Sequence, residues 1–429
     1  MPILQVIIIF SLMLLAVIIF KFPEVGLVLC VVSGSYIKGI IQPIIGAIDI
    51  TAYLFIVTYF SIFLHRSIKE KKILIPSPKI NIWVSLFVMM LLGSLLYTPL
   101  PKQGIEIFFR FTVLDVSMLY MVYIWAIDTD KIKRILYIFS GISITYGLLL
   151  VMAIFFSNNN YFYNYRGAFI STAPIAVAIN LAAGILITLL VKNLIKQKHI
   201  RDLSTLLAVL STIALIALNS RGPLIAFLCG VFSIIFLIGE ERKKYIFLLL
   251  KLIGALSIIF IFIPKEYTSR YSLITNLESS SISARLSAWR FVVDHFSEWF
   301  FKGAGLSGYA YYSHPGNPYF SIFGNHPHNI FLDIFADVGF LGLLFFLGII
   351  GFIFYKGFKM CRVADYKFRI LGLSSFIAFI VFMIENLFSM SLIGTRPIWF
   401  FGGLILSLEY IWRKESRFPE KGNIHACVG

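Results

Sequence analysis

Several arginines stand where apolar stretches end. Arg166 lies in Tyr165-Arg166-Gly167, Arg221 in Ser220-Arg221-Gly222, and Arg396 in Gly394-Thr395-Arg396-Pro397. Arg285 and Arg290 flank Trp289 in a separate, more polar segment. A guanidinium is a planar fork that stays protonated, and several of them on one face suit an anion with paired oxygens, such as a phosphate. Taken singly, each also reads as an interfacial arginine reaching for headgroups. His326 and His328, in Asn325-His326-Pro327-His328-Asn329, offer an imidazole able to accept a proton near neutral pH. A His-x-His pair could also bind metal, but no cysteine or third clustered histidine stands beside it, and no metal is assigned. Asp333 and Asp337 share a helix face at i,i+4. They could orient an imidazole, or simply sit at the positive end of a helix dipole.

The elements that must hold these residues are membrane helices. Of 429 residues, 59% are hydrophobic and 14% charged, with a mean hydropathy of +0.89. A soluble domain carries about 25% charged residues. The composition excludes a soluble enzyme, a disordered chain and a disulfide scaffold. The apolar runs are long and continuous, which also excludes the alternating pattern of an outer-membrane barrel. The expected spans are 2–20, 22–41, 43–64, 81–97, 107–127, 134–156, 172–191, 203–219, 223–239, 245–263, 329–355, 370–391 and 397–412. The second is the weakest; if it only re-enters, twelve spans remain instead of thirteen and the N-terminus changes side. The fold class is therefore all-α and polytopic, with about 12–13 transmembrane helices.

Charge sets the orientation. Net charge is +16, but the basic residues do not form one patch, which argues against a nucleic-acid partner. Segments 65–80, 128–134, 192–202, 240–244, 356–369 and 413–429 hold twenty-four Lys and Arg, whereas the short loops opposite them, from residue 98 onward, hold four. The positive-inside rule puts the first set in the cytoplasm. The segment from Pro264 to Pro327 then lies outside, and it is the only extramembrane part large enough to fold on its own. The expected division is 1–263 for N-terminal helices, 264–327 for the outer loop, 328–412 for C-terminal helices and 413–429 for a cytoplasmic tail. Within the loop, apolar residues at 286, 289, 292, 293 and 296 recur at helical spacing and predict an amphipathic interfacial helix. Tyr309, Tyr311, Tyr312 and Tyr319 follow; their rings suit sugars or an ordinary interfacial belt.

Two further readings are local. Asp128-Thr129-Asp130 has the DxD form of metal-dependent glycosyl transfer, but it precedes an apolar run on the basic side and reads as a helix N-cap. Arg110 and Asp115 are close enough along one helix to pair, and Glu385 near the outer end of its span could border the outer cavity.

In combination, Ser220-Arg221-Gly222 at a span boundary, Arg285 four residues before Trp289, His326 to Asn329, and Asp337-Val338-Gly339-Phe340-Leu341-Gly342 resemble the bacterial O-antigen ligase and O-antigen polymerase superfamily. The resemblance covers roughly residues 160–400. The family commonly has Glu where Asp337 stands. The resemblance implies a GT-C-like, metal-independent, inverting glycosyltransferase of the bacterial inner membrane, with its active site facing the periplasm and no cofactor. Its implied partners are an undecaprenyl-pyrophosphate-linked glycan as donor and, as acceptor, lipid A-core for a ligase or a second lipid-linked repeat unit for a polymerase. Arg396 and the His-x-His-Asn form lean towards the ligase branch. It implies His328 as general base, with Arg221 and Arg285 gripping the pyrophosphate. Arg166, Arg290, Arg396, His326, Asn329, Asp333 and Asp337 are the expected auxiliaries around the substrates. A polysaccharide flippase is the competing class, but it predicts matching halves with paired broken helices, and none is evident.

Overall fold

The computed structural model describes residues 2–36, 44, 49–70, 76–156, 174–239, 242–243, 245–247, 254, 280–313, 326–389, 391–392 and 394–417. Arg166, Tyr319, residues 264–279 and 314–325 of the outer loop and most of the expected span 245–263 lie outside the described residues. The described elements are helical throughout, and eight helices are long and apolar enough to cross a membrane. In lipid, a helix satisfies its backbone hydrogen bonds internally, so continuous apolar runs fold this way.

The order is α1 (Pro2–Lys21), α2 (Pro23–Tyr36), α3 (Ile50–His65), α4 (Pro78–Ser94), α5 (Pro101–Trp125), α6 (Thr129–Phe156), α7 (Pro174–Val191), α8 (Lys198–Ala217) and α9 (Arg221–Leu237). The outer segment contributes α10 (Ser280–Asp294) and the short α11 (Phe296–Trp299) and α12 (Gly308–Ser313). Then follow α13 (Ile330–Met360), α14 (Tyr366–Asn386) and α15 (Arg396–Arg417). Helix starts follow side-chain chemistry. Asp49 caps α3 by accepting from the Thr51 and Ala52 amides, and Asp365 caps α14 through the Phe368 amide. Asp128 accepts from the Lys131 amide at 2.7 Å, so the DxD sequence is a helix cap, and Asp130 pairs with Lys367 at 3.1 Å. The weak second run yields a helix over Pro23–Tyr36, with residues 37–41 outside the described set.

Helices α7 and α14 form the centre of the bundle. Helix α7 packs on α6, α8, α9 and α14, and small residues allow the close approach. A Cβ on Gly184 would lie 2.3 Å from the Ser143 Cβ of α6. Such contacts replace the hydrophobic drive that lipid does not supply between helices.

Helix α13 is broken near its start. Gly339 has φ 72° and ψ −168°, a conformation reserved for glycine. The break frees backbone groups, and the outer segment takes them up. The Ala304 and Gly305 amides donate to the Ala336 and Asp337 carbonyls at 2.7 and 3.0 Å, and the Phe340 amide donates to the Phe300 carbonyl at 2.7 Å. Val292, Trp299, Ala304 and Tyr309 of this segment share a small core with Phe335 and Ala336 of α13. The described part of the outer segment is thus built onto α13 and shares its core with that helix. The amphipathic helix appears as expected, but it ends at Asp294, before Gly303. Leu286 and Val293 on it, and Phe296 at the start of α11, remain exposed.

Candidate functional site

Four chain regions meet at one end of the bundle. The first is the turn between α8 and α9. Asn219 has φ 51°, and Arg221 is the first residue of α9. Gly222 follows and leaves room for Glu385: a Cβ there would lie 2.6 Å from its carboxylate oxygen, so a side chain would have to displace that carboxylate. Glu385, fully buried near the end of α14, therefore rests against the first turn of α9, where backbone amides point outward and favour an anion.

The second region is α10, which supplies Arg285. Its guanidinium is half-buried and lies within electrostatic reach of Glu385 and Arg221. Burial lowers its pKa; the Glu385 carboxylate opposes this and Arg221 reinforces it. Arg290, on the same helix, is exposed. Helix α10 is moored by Trp289, whose indole NH donates to the Pro327 carbonyl.

Pro327 belongs to the third region, which carries the histidines. The His326 and His328 rings lie 4.3 Å apart, centroid to centroid. His328 has φ 55°, so the chain turns sharply just before α13. Burial pushes the His328 imidazole down from its ordinary 6.5 to about 4, with His326 and then Arg285 adding to the effect and the Ser389 backbone carbonyl opposing it. His326 is also lowered, again by burial against the Ser389 carbonyl. Both rings are therefore neutral at physiological pH. Asn329 is the N-cap of α13, its side-chain oxygen accepting from the Phe331 and Leu332 amides at 3.0 and 3.2 Å.

The fourth region is the segment joining α14 to α15. Ser389 in it faces the histidines. Its far side is pinned by carboxylates. Asp333 accepts from the Leu392 amide at 2.8 Å, and Asp115 accepts from the Gly394 amide at 3.3 Å. Asp337 is buried and accepts from the Ser307 amide of the outer segment.

Arg221, Arg285 and His328 are thus brought together from positions up to 107 residues apart in sequence. His326 joins them. Asp333 and Asp337 lie behind the cluster, each bound to a neighbouring loop amide. Arg396 is held elsewhere: its side chain ion-pairs with Asp115 at 3.3 Å, donates to the Cys30 carbonyl at 2.8 Å, and lies over the Phe55 ring. This replaces the expected Arg110–Asp115 pair. Asp115 lies in a π-helical turn, Phe111–Val116, that aims it at α15, and Arg110 pairs with Glu106 at 3.0 Å. Glu385 joins the cluster although it was not among the principal candidates. Its signal was an ionisable residue at the end of an apolar span, where such a group by default faces the bundle interior. Among the described residues, no three His, Cys, Asp or Glu side chains gather closely enough to hold a metal.

The architecture defines a multi-pass α-helical membrane protein with a cluster of two guanidiniums, two neutral imidazoles and a buried carboxylate at the ends of its spans. Residues 206–347 match the family model described as O-Antigen ligase, which supports the O-antigen ligase and polymerase superfamily that the motifs resemble. The match contains Arg221, Arg285, His326 and His328 and stops short of Glu385 and Arg396. No curated protein matches the chain significantly.

Proposed function

We propose that the protein is a membrane glycosyltransferase of the bacterial inner membrane. It moves a glycan from undecaprenyl pyrophosphate to a sugar hydroxyl at the periplasmic face, with lipid A-core as the acceptor. The observation that carries this reading is the proximity of Arg285 to both Arg221 and His328. A sugar pyrophosphate is already activated and needs a cationic grip on its leaving group more than a strong acid. Arg221 and Arg285 supply that grip, with forks matched to phosphate oxygens. The acceptor hydroxyl oxygen attacks the anomeric carbon from the face opposite the pyrophosphate. A new C–O bond forms as the bond to the pyrophosphate oxygen breaks. The electron pair leaves with undecaprenyl pyrophosphate, and the hydroxyl proton passes to His328. This in-line displacement inverts the anomeric centre and uses no metal. Glu385 sets the position of Arg285 and the first turn of α9, and His326 keeps its neighbour neutral.

The cluster lies at span ends, with Arg221 opening α9, His328 just before α13 and Ser389 just after α14. A flippase would carry its charges near the bilayer midplane. Deleting the gene and examining surface glycan tests the assignment. Lipid A-core without polymer, together with accumulated lipid-linked polymer, is the expected result. Core bearing a single repeat unit would make the enzyme a polymerase, and unchanged surface glycan would remove the function.

A further inference from the structure

At the opposite, lysine-rich end of the bundle, two adjoining cavities open between α6, α7 and α8. One, of about 250 Å³, runs between Ser140, Gly141, Leu148, Thr188 and Leu207. The other, of about 430 Å³, lies over Lys133, Lys196 and Gln197. Tyr137 and Ile195 line both, so the two adjoin, and the Tyr137 hydroxyl donates to the Val191 carbonyl at 3.3 Å. Lys192 lines the first and donates to the Thr205 hydroxyl at 2.6 Å. The outer cavity is therefore cationic, with two lysines and an amide. The inner one is walled mainly by apolar side chains, Ile144, Leu148, Val191 and Leu207 among them, with the hydroxyls of Ser140, Thr145, Thr188 and Ser204 between them. No carboxylate is among the residues lining either cavity.

We infer that this pair of cavities is a binding site for an anionic phospholipid of the cytoplasmic leaflet. Lys133, Lys192 and Lys196 take the phosphate, and one acyl chain enters between α6 and α8. The ligand this suits is amphiphilic and anionic, because a cationic cavity and a largely apolar one lie side by side. Anionic lipid is what a basic pocket between helices at this face selects. Gly141 keeps the inner cavity open, since nothing lies within 4 Å of where its Cβ would be. The site is independent of the proposed transfer reaction at the other end of the bundle.

Native mass spectrometry of the full chain in detergent, titrated with phosphatidylglycerol or with phosphatidylethanolamine of the same acyl chains, tests this. The wild type should retain phosphatidylglycerol in preference. Lys133→Ala with Lys196→Ala should weaken phosphatidylglycerol binding by about thirtyfold and leave phosphatidylethanolamine unchanged. Lys196 is exposed and Lys133 half-buried, so the double variant should fold. Gly141→Leu, which fills the inner cavity, should weaken both lipids. Equal retention of the two lipids by the wild type would overturn the proposal, as would undiminished phosphatidylglycerol binding in the double variant. Displacement of phosphatidylglycerol by inorganic phosphate would mark a free-anion site and overturn it too.

Discussion

The Trp289 indole nitrogen donates a hydrogen bond to the Pro327 carbonyl at 2.7 Å. Trp289 follows Arg285 by one helical turn, and Pro327 separates His326 from His328. One bond therefore sets the distance between the helix that carries a cation and the turn that carries the imidazoles. Trp289→Phe keeps the ring and removes the donor, leaving a partly buried carbonyl unsatisfied at a cost of about 1–3 kcal/mol. Transfer should fall by about tenfold or more while the protein still folds, checked by a thermal melt beside a transfer assay. An unchanged rate would show that this tether does not position the site.

Arg221→Lys and Arg285→Lys keep the charge and lose the fork. Each should weaken the grip on the leaving group by about 1.5–3 kcal/mol, or about 10–100-fold in kcat/KM. Steady-state kinetics on a lipid-pyrophosphate donor check this. Full activity in the lysine variants would reduce the role of these residues to charge alone.

The pH profile follows from His328. Its pKa is held near 4, below its ordinary 6.5, so the imidazole is already neutral at pH 5.5. The acid limb of kcat/KM for the free enzyme should fall near pH 4 and not near 6.5. The stability consequence has a defined sign. Between about pH 4 and 6.5 the unfolded chain binds the proton and the folded chain does not, so stability rises with pH across that window. The contribution is complete above 6.5 and is lost as pH falls towards 4. Unfolding midpoints measured at pH 4.5 and 7 should differ in that direction, and His328→Gln should flatten the difference.

Gly339 holds the break in α13 that the outer segment fills. A side chain there would need a conformation costing about 1–3 kcal/mol, and its Cβ would lie 2.7 Å from the Phe301 backbone. Gly339→Ala should lower the melting temperature and expose the 300–306 backbone to amide exchange, whereas Gly351→Ala, with open space at its Cβ, should do neither.

Most span positions were legible because an apolar run of about 20 residues has one stable form in lipid. The α6 cap at Asp128 was legible for a similar reason: an aspartate just before an apolar run satisfies amides a few residues away. Partners distant in sequence were not. Asp115 lies five residues from Arg110, yet it pairs with Arg396, because a π-helical turn rotates it towards a helix that starts 281 residues later. Nothing local encodes that rotation. Asp333 looked like a dipole partner, yet it holds the Leu392 amide from a loop 59 residues on. The Arg221 motif carried more than its arginine. Its glycine is the space that Glu385 occupies, and that relationship requires two helices to be packed before it can be seen.

The central claim is that the two guanidiniums hold the donor while His328 takes the acceptor proton. The direct test is His328→Ala in proteoliposomes, with donor binding and glycan transfer measured on the same preparation. Donor affinity should remain within about twofold of wild type while transfer falls by about 10²–10⁴-fold, the usual contribution of a positioned base. Transfer at the wild-type rate in that variant would contradict the account.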